Sequence, residues 1–477
     1  MYHIASKHLP LLHLYPIALC LVLMVTGCSV SYSTDVDSEQ KISEESGNFN
    51  GNLNEGDQFG LALANIGDLE GDGVTDLAVG APFSDDNGQD RGAVWILFMD
   101  SDGEVDNHQK ISEDDGDFSG DLDDGDQFGR AVAPLGDLNN DGFLDIAVGA
   151  PLDDDAGTDK GAVWILFLDG EGTVLSEQKI SDDEGEFEGD LDDNDQFAHS
   201  LANIGDLNND GVTDLAVGVP NDDDGGTDRG AVWILFMNSD GTVLSSQKVS
   251  SDEGDLDSDL DDGDHFGSAL TEIGDLDGDG VTDLAVGVSG GDDGGTDRGA
   301  VWILFMNNDG TVASKKRISQ SRASFDGELS DNDLFGNALA NLGDINDDGT
   351  DDLAVGAKQS DDGGAQKGAI WVLFLEIDGE VVSTSKISST EGNFDGDLDG
   401  GDQFGGSIAL VGDLDGDDLN DMAVGASLDD DGGTDKGAVW MLFMDDVVTE
   451  YDRQEGGIFN MSQDDLSNLL QGTGGGN

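Results

Sequence analysis

Oxygen-bearing side chains at alternate positions are the residues of this sequence best suited to chemistry. Asp137, Asn139, Asp141 and Asp145 occupy positions one, three, five and nine of a short segment, and Gly142 stands at position six. A tight loop of this kind points alternate side chains inward and adds a backbone carbonyl, which gives a hard cation about six or seven oxygen ligands. Because the segment has no His or Cys, the pattern predicts a calcium site, with magnesium as the second choice.

The same loop occurs six times, and its first Asp recurs every 69 residues from Asp68 to Asp413. An EF-hand does not fit, because Val148 stands where its Glu at position twelve would be. We therefore expect about one Ca2+ per copy and up to six in all, with metal-free acidic surface loops as the alternative. The first and sixth loops are the weakest, because Glu70 is longer than Asp and Asp418 replaces the turn glycine. The candidate ligands of the other five loops are Asp68, Glu70, Asp72 and Asp76; Asp206, Asn208, Asp210 and Asp214; Asp275, Asp277, Asp279 and Asp283; Asp344, Asn346, Asp348 and Asp352; and Asp413, Asp415, Asp417 and Asp421.

The elements that must hold these loops repeat with the same period. In the second copy the sequence predicts four strands, at 128–135, 145–150, 161–168 and 173–181. The third is apolar on both faces, which indicates a sheet packed between two neighbours. Four short strands per copy, with both faces covered, predict an all-β fold in which each copy is one blade of a β-propeller.

The two ends of the repeat array predict how the ring closes. The segment that marks the fourth strand appears before the first copy, at 40–43, and is missing after Trp440. We expect the N-terminal strand to complete the last blade, so that no sheet edge is left open. This arrangement gives six blades; a seventh, with pairing from 447–451, is the alternative.

The charge of the chain limits its partners. There are 105 acidic and 19 basic residues, and the formal net charge is −86. Nucleic acid is therefore excluded as a partner, and a compact fold calls for bound cations to offset the repulsion. Both cysteines, Cys20 and Cys28, lie near the N-terminus, so disulfides do not hold the repeats together.

The first 27 residues are typical of an export signal. An apolar run at 17–25 is too short to span a membrane comfortably, and Val25-Thr26-Gly27-Cys28 resembles the bacterial lipobox. That resemblance implies cleavage before Cys28, a lipid on its sulfur, and membrane attachment through residues 28–35 as a linker. An ordinary cleaved signal peptide is the alternative. Ser29, directly after the cysteine, resembles the lipoprotein pattern that permits transport to an outer membrane. We therefore expect an exported protein at the cell envelope, in the outer membrane or at the cell surface.

Two further motifs flank the loop, Phe128-Gly129 before it and Gly149-Ala150-Pro151 after it. With the loop between them they resemble the FG-GAP repeat of the integrin alpha-chain propeller. The resemblance covers 36–445 and leaves 446–477 as a tail with a possible short helix at 462–470. It implies that ligands bind the face opposite the metal loops. The integrin inserted domain and its metal motif are absent, so that mode of ligand binding is not implied.

No catalytic constellation is evident. The histidines after the signal are His108, His199 and His265, and none has a nucleophile motif beside it. We therefore expect an adhesion or ligand-binding protein whose partner is an unidentified extracellular protein or glycan. The alternative is a lectin or polysaccharide-processing hydrolase on the same scaffold. Asp121, Asp123 and Asp126, with their equivalents in later copies, suggest a second, weaker cation site, although a solvated acidic rim is the simpler interpretation.

Overall fold

The computed structural model describes residues 28–460, except 156, 257–259, 418, 446 and 454–456. The strands before and in the first three blades are β1 (Cys28–Ser33), β2 (Val36–Ile42), β3 (Ala62–Gly67), β4 (Asp76–Ala81), β5 (Ala93–Met99), β6 (Val105–Ile111), β7 (Ala131–Gly136), β8 (Asp145–Ala150), β9 (Ala162–Leu168), β10 (Val174–Ile180), β11 (Ser200–Asn203), β12 (Leu215–Val219), β13 (Ala231–Met237) and β14 (Val243–Val249). The remaining strands are β15 (Phe266–Glu272), β16 (Leu284–Val288), β17 (Ala300–Met306), β18 (Val312–Ile318), β19 (Leu339–Gly343), β20 (Asp352–Ala357), β21 (Ala369–Leu375), β22 (Val381–Ser388), β23 (Ile408–Gly412), β24 (Asp421–Ala426), β25 (Ala438–Met444), β26 (Val448–Arg453) and β27 (Gly457–Asn460).

Six four-stranded antiparallel sheets form the blades of a propeller. Five of them are built from consecutive strands, as in the order β3-β4-β5-β6. The sixth has the order β2-β25-β24-β23, and Lys41 in β2 pairs with Trp440 in β25. Exchange of the N-terminal strand therefore closes the ring, as predicted. The described chain has six blades, and the seven-bladed alternative is wrong.

The first strand of every blade lines the axis. Strands β3, β7, β11, β15, β19 and β23 contact one another in a closed circle. Since the strands of a blade alternate in direction, the loops after these first strands all lie on one face of the ring. The loops that enter the first strands lie on the opposite face. The repeat thus places all six predicted metal loops on the same rim.

Apolar residues of the third strand fill the space between blades. All seven residues of β9 are buried, and Trp164 in that strand is 6% exposed. Phe118, in the connection from the preceding blade, stacks on Phe128 at 5.1 Å and meets the Trp164 ring edge-on at 5.2 Å. Gly120 lies against the rings of Phe118 and Trp164, and a Cβ there would come within 2.3 Å of Phe118. The tryptophans are therefore blade core, and the phenylalanine anchors the interblade loop.

A small three-stranded sheet lies beside the ring. Strand β1 pairs with β26, and β26 pairs with β27. The backbone N–H groups of Tyr32 and Thr34 donate hydrogen bonds to Ser383 and Ser385 of β22, at 2.8 and 3.0 Å. Residues 28–33, expected as a linker, thus form a strand docked on the fifth blade, because the tail supplies a partner that the repeat pattern does not reveal.

Two sequence-based expectations lie outside the described residues. These are the signal segment 1–27 and the short helix at 462–470. Within the part of the chain that the structure describes, no helix has the length and apolar content needed to cross a bilayer.

Candidate metal centres on one rim of the propeller

The loop between the first and second strands is held by its own acidic side chains. In the second blade the Asp137 carboxylate accepts hydrogen bonds from the backbone N–H groups of Asp141, at 2.9 Å, and Gly142, at 3.0 Å. Asp141 in turn accepts one from Phe143 at 3.0 Å. Gly142 has a φ of 100°, which glycine adopts without strain. The spacing of carboxylates and glycine therefore closes the loop around positions one, three and five.

The Asp at position nine ties this loop to the blade. Asp145 is 1% exposed, and its two carboxylate oxygens accept hydrogen bonds from the backbone N–H groups of Leu138, at 2.9 Å, and Leu168, at 3.3 Å. Burial raises the pKa of Asp145 to about 6. The same cause raises the pKa of its counterpart Asp352 to about 8. A buried carboxylate of this kind is costly to ionise unless a cation lies beside it.

Two of the six loops bring three carboxylates together. In the fourth blade, one oxygen from each of Asp275, Asp277 and Asp283 lies within 4.8 Å of the others. The sixth blade repeats this arrangement with the equivalent residues Asp413, Asp415 and Asp421. These are the two loops that have Asp at position three.

The remaining loops differ at position three. Asn139, Asn208 and Asn346 supply an amide oxygen there, and the first blade has Glu70. The pKa of Glu70 is raised by desolvation and by its acidic neighbours. Asp418, which replaces the turn glycine of the sixth loop, lies outside the described residues.

The donor set of these loops fits a hard divalent cation. Each contributes carboxylate or amide oxygens at positions one, three, five and nine, and no nitrogen or sulfur ligand. The buried carboxylate at position nine faces the exposed oxygens of the turn in the fourth and sixth blades. Calcium accepts this oxygen-only, irregular geometry more readily than magnesium, which demands near-octahedral coordination.

On the opposite rim a lysine pairs with acidic residues beside Asp126, one of the candidate ligands of the second cation site. Lys179 lies 2.6 Å from Asp153 and also pairs with Asp155, while its ammonium lies 5.3 Å above the Trp164 ring. Asp126 is 3% exposed beside this group, and burial raises its pKa to about 7. The basic residue of each fourth strand is paired with acids in the same way, which explains its recurrence. These basic residues are Lys41, Lys110, Lys179, Lys248, Arg317 and Lys386.

Sequence reasoning missed one group of residues at the axis. Arg130 and His199 each follow the Phe of the first motif by two positions, and Arg130 Nη2 lies 2.7 Å from His199 Nε2. Lys358 stands where the first three blades have Pro after the second motif. The sequence feature that could have indicated this group is that Arg130, His199 and Lys358 each occur in only one copy of the repeat.

Comparison with known proteins places this architecture in a class. The FG-GAP repeat model matches six times, at residues 59–97, 128–166, 197–235, 268–304, 335–373 and 404–442. The chain therefore belongs to the FG-GAP repeat family, and its repeats form an integrin alpha-like β-propeller.

Several curated relatives are integrin alpha chains. The chain is 35% identical to integrin alpha-2 of Mus musculus over 167 residues, which are 34% of this chain and 13% of that one. It is 29% identical to integrin alpha pat-2 of Caenorhabditis elegans over 249 residues, which are 48% of this chain and 18% of that one. The matched segments thus span less than a fifth of these relatives.

Proposed function

We propose that this chain is a calcium-stabilised binding propeller that acts in adhesion or ligand binding outside the cell, held at the envelope by a lipid on Cys28. The observation that carries the calcium part is the buried carboxylate at position nine of all six loops, such as the 1% exposed Asp283. Its backbone hydrogen bonds fix its position, and the exposed carboxylates of Asp275 and Asp277 lie beside it.

Calcium supplies the positive charge that the rim lacks. Each loop carries three or four acidic residues at its ligand positions, and an ion offsets two of those charges while it bridges the turn to the buried Asp. Extracellular calcium modules bind at roughly 0.1–1 mM, so these sites would be filled outside the cell. The ions would thereby stabilise the fold and hold the rim loops in place.

The propeller itself supports the binding role. FG-GAP repeats of this kind occur in the integrin alpha chains that the sequence resembles, and near-identical blades suit a scaffold on which several weak contacts add up. The ligand would be an extracellular protein or glycan that meets the face opposite the calcium loops. The proposal assigns no enzymatic activity to the chain.

The lipid anchor rests on the lipobox-like segment that ends at Cys28. Metabolic labelling with a palmitate analogue tests it directly, with Cys28→Ser as the variant. The label should be incorporated by the native chain and lost from the variant. Equal labelling of both would contradict the anchor without affecting the calcium proposal.

Binding is tested with the mature chain on glycan arrays and on cells, with calcium or with EGTA. We expect binding that calcium supports and EGTA abolishes. Asp283→Ala should weaken it, whereas Asp309→Ala, at an exposed hairpin of the same blade, should not. Absence of binding in calcium to every glycan and cell surface tried would contradict the binding role.

A further inference from the structure

The mouth of the axial channel on the face opposite the calcium loops carries a cluster of positive charge. Arg130 precedes β7, the first strand of the second blade, and His199 precedes β11 in the third. Lys358 follows β20 in the fifth blade. The first strands line the axis, and each second strand ends on the face where the first strand of its blade begins. These three residues therefore lie at the same end of the channel.

The side chains of Arg130 and His199 are in direct contact, with 2.7 Å between Arg130 Nη2 and His199 Nε2, and Lys358 lies near enough for its charge to act on His199. Burial lowers the pKa of His199 well below its usual value, and the charges of Arg130, Lys358 and His265 lower it further. Burial and the charge of Arg130 also lower the pKa of Lys358 to about 8. All three residues are partly exposed to solvent.

The cations of this cluster lack the carboxylate partners found elsewhere in the chain. The basic residue that recurs once in each fourth strand forms an ion pair in all six blades. The Arg130 side chain donates a hydrogen bond to His199, and no acidic group contributes to the pKa of Arg130 or of Lys358. In a chain with 105 acidic residues, the described structure thus leaves two cations unpaired at one place.

His199 adds an unsatisfied donor. A guanidinium has no acceptor, so the Nε2 atom that lies 2.7 Å from Arg130 must accept the hydrogen bond. The ring proton is therefore on Nδ1, and this buried atom has no partner among the described residues. A buried N–H without an acceptor is costly, and an anionic oxygen in the channel would satisfy it.

The neighbouring polar groups at this mouth are held by the backbone. Asn337 accepts a hydrogen bond from the Lys358 N–H at 2.9 Å and donates to the carbonyls of Gly405 and Gly406. His265 Nδ1 lies 3.2 Å from the carbonyl of Pro220. Their contacts position Lys358 and leave the two cations and the His199 N–H as the free donors.

We propose that this channel mouth is an anion-binding site that takes a carboxylate or a tetrahedral oxyanion between Arg130, Lys358 and the Nδ1–H of His199. The guanidinium and ammonium supply charge, and the imidazole supplies a directed donor. The net charge of −86 does not prevent this, because charges beyond a Debye length of about 8 Å are largely screened at physiological salt. The inference is independent of both the calcium loops and the lipid anchor.

The test is a titration of the mature, calcium-loaded chain with sulfate and, separately, with acetate. Labelling with 15N-histidine allows the His199 ring signals to be followed. Arg130→Ser and Lys358→Ser are suitable variants, since Ser268 and Ser289 already occupy the corresponding positions in the fourth blade. Arg298→Gln is the control, because it removes one positive charge from an exposed pair with Asp331.

We expect a saturable shift of the His199 signals, with affinity reduced at least about tenfold in each serine variant, as for loss of a charge-assisted hydrogen bond. The control should stay within about twofold. Stronger binding of sulfate would identify a tetrahedral oxyanion site, and stronger binding of acetate a carboxylate site. If neither anion shifts His199 saturably, or if folded serine variants bind as the native chain does, the proposal is wrong and the cations only offset the surrounding negative field.

Discussion

The carboxylate of Asp283 accepts a hydrogen bond from the backbone N–H of Met306 at 3.0 Å, across 23 residues of chain. Its other oxygen accepts the N–H of Leu276 at 3.0 Å. The bond to the end of the third strand recurs in all six blades, between 3.0 and 3.3 Å. Each predicted calcium loop is thereby coupled to the core strand of its own blade.

This coupling predicts different effects for two residues of one loop. Asp283→Ala leaves two backbone N–H groups without their acceptor, at a cost of about 1–3 kcal/mol each even in EGTA. Asp277→Ala loses only an exposed bond to Asp279, so its metal-free stability should change little. Both variants should lower the calcium content by one ion. Thermal unfolding in EGTA and calcium analysis check this, and equal metal-free stability of the two variants would contradict the coupling.

Buried acids near the lysines predict a pH dependence. Burial raises the pKa of Asp402 to about 7, and the charge of Asp429 adds to this, whereas Lys41 and the N–H of Asp399 oppose it. The folded state therefore holds this proton more tightly than the unfolded state does. The stabilising contribution is present at low pH and is lost as the pH rises through about 7.

Asp402→Asn tests the sign of this effect. In EGTA at pH 8 the variant should be more stable than the native chain by roughly 1–2 kcal/mol, because the amide carries no charge. The advantage should shrink as the pH falls towards 4. The exposed neighbour Asp399 supplies the control, Asp399→Asn, which should show no such trend. Urea unfolding across this pH range measures both, and a variant less stable than native at pH 8 would reverse the assignment.

The basic residue that pairs with acids over each tryptophan should be costly to replace by a neutral one, because its acidic partners would be left buried without a counter-charge. Lys179 is 5% and Asp153 2% exposed, so Lys179→Met should destabilise the fold by about 3–5 kcal/mol. Lys179→Arg should be tolerated, because Arg317 fills the same position in the fourth blade. Arg298→Gln, which breaks an exposed pair, should cost about 0–1 kcal/mol. Urea unfolding in calcium separates these cases, and a mild effect of Lys179→Met would contradict the account of the rim.

Strand exchange predicts that the N-terminal segment is needed for closure. A chain that begins at residue 44 lacks β2, which leaves β25 as an open edge beside Trp440. It should unfold at a lower temperature and aggregate, and a synthetic peptide of residues 34–46 should restore the monomer. Light scattering and circular dichroism provide the measurement. A stable monomer without β2 or peptide would show that closure does not depend on the exchanged strand.

Most of the fold could be read from the sequence because the period is exact. Trp164 and Asp137 recur without a register slip, so strand order, blade number and loop position all follow from one unit. The docked sheet of β1 and β26 could not be predicted in this way. Its pairing joins residues from the two ends of the chain, such as Ser33 and Val448, and has no repeat to reveal it.

The candidate sites differ in the same way, since one kind is formed by repeated residues and the other by residues that do not repeat. The loop residues repeat, and the structure places Asp275, Asp277 and Asp283 together as their spacing indicates. Arg130, His199 and Lys358 each occur in one blade only, so their proximity depends on ring closure and not on local spacing. Similarity between repeats therefore reveals the candidate calcium sites, and departures from it point to the proposed anion site.

Calcium is central to the proposed function. Equilibrium dialysis of the mature chain against 45Ca2+, followed by calorimetry in calcium and in EGTA at low ionic strength, tests its binding most directly. We predict up to six bound ions and a clear fall in melting temperature on chelation, since each site contributes roughly 1.4 kcal/mol at ten times its Kd. Magnesium should restore the melting temperature less well than calcium. A chain that binds no calcium and melts at the same temperature in EGTA would contradict the claim.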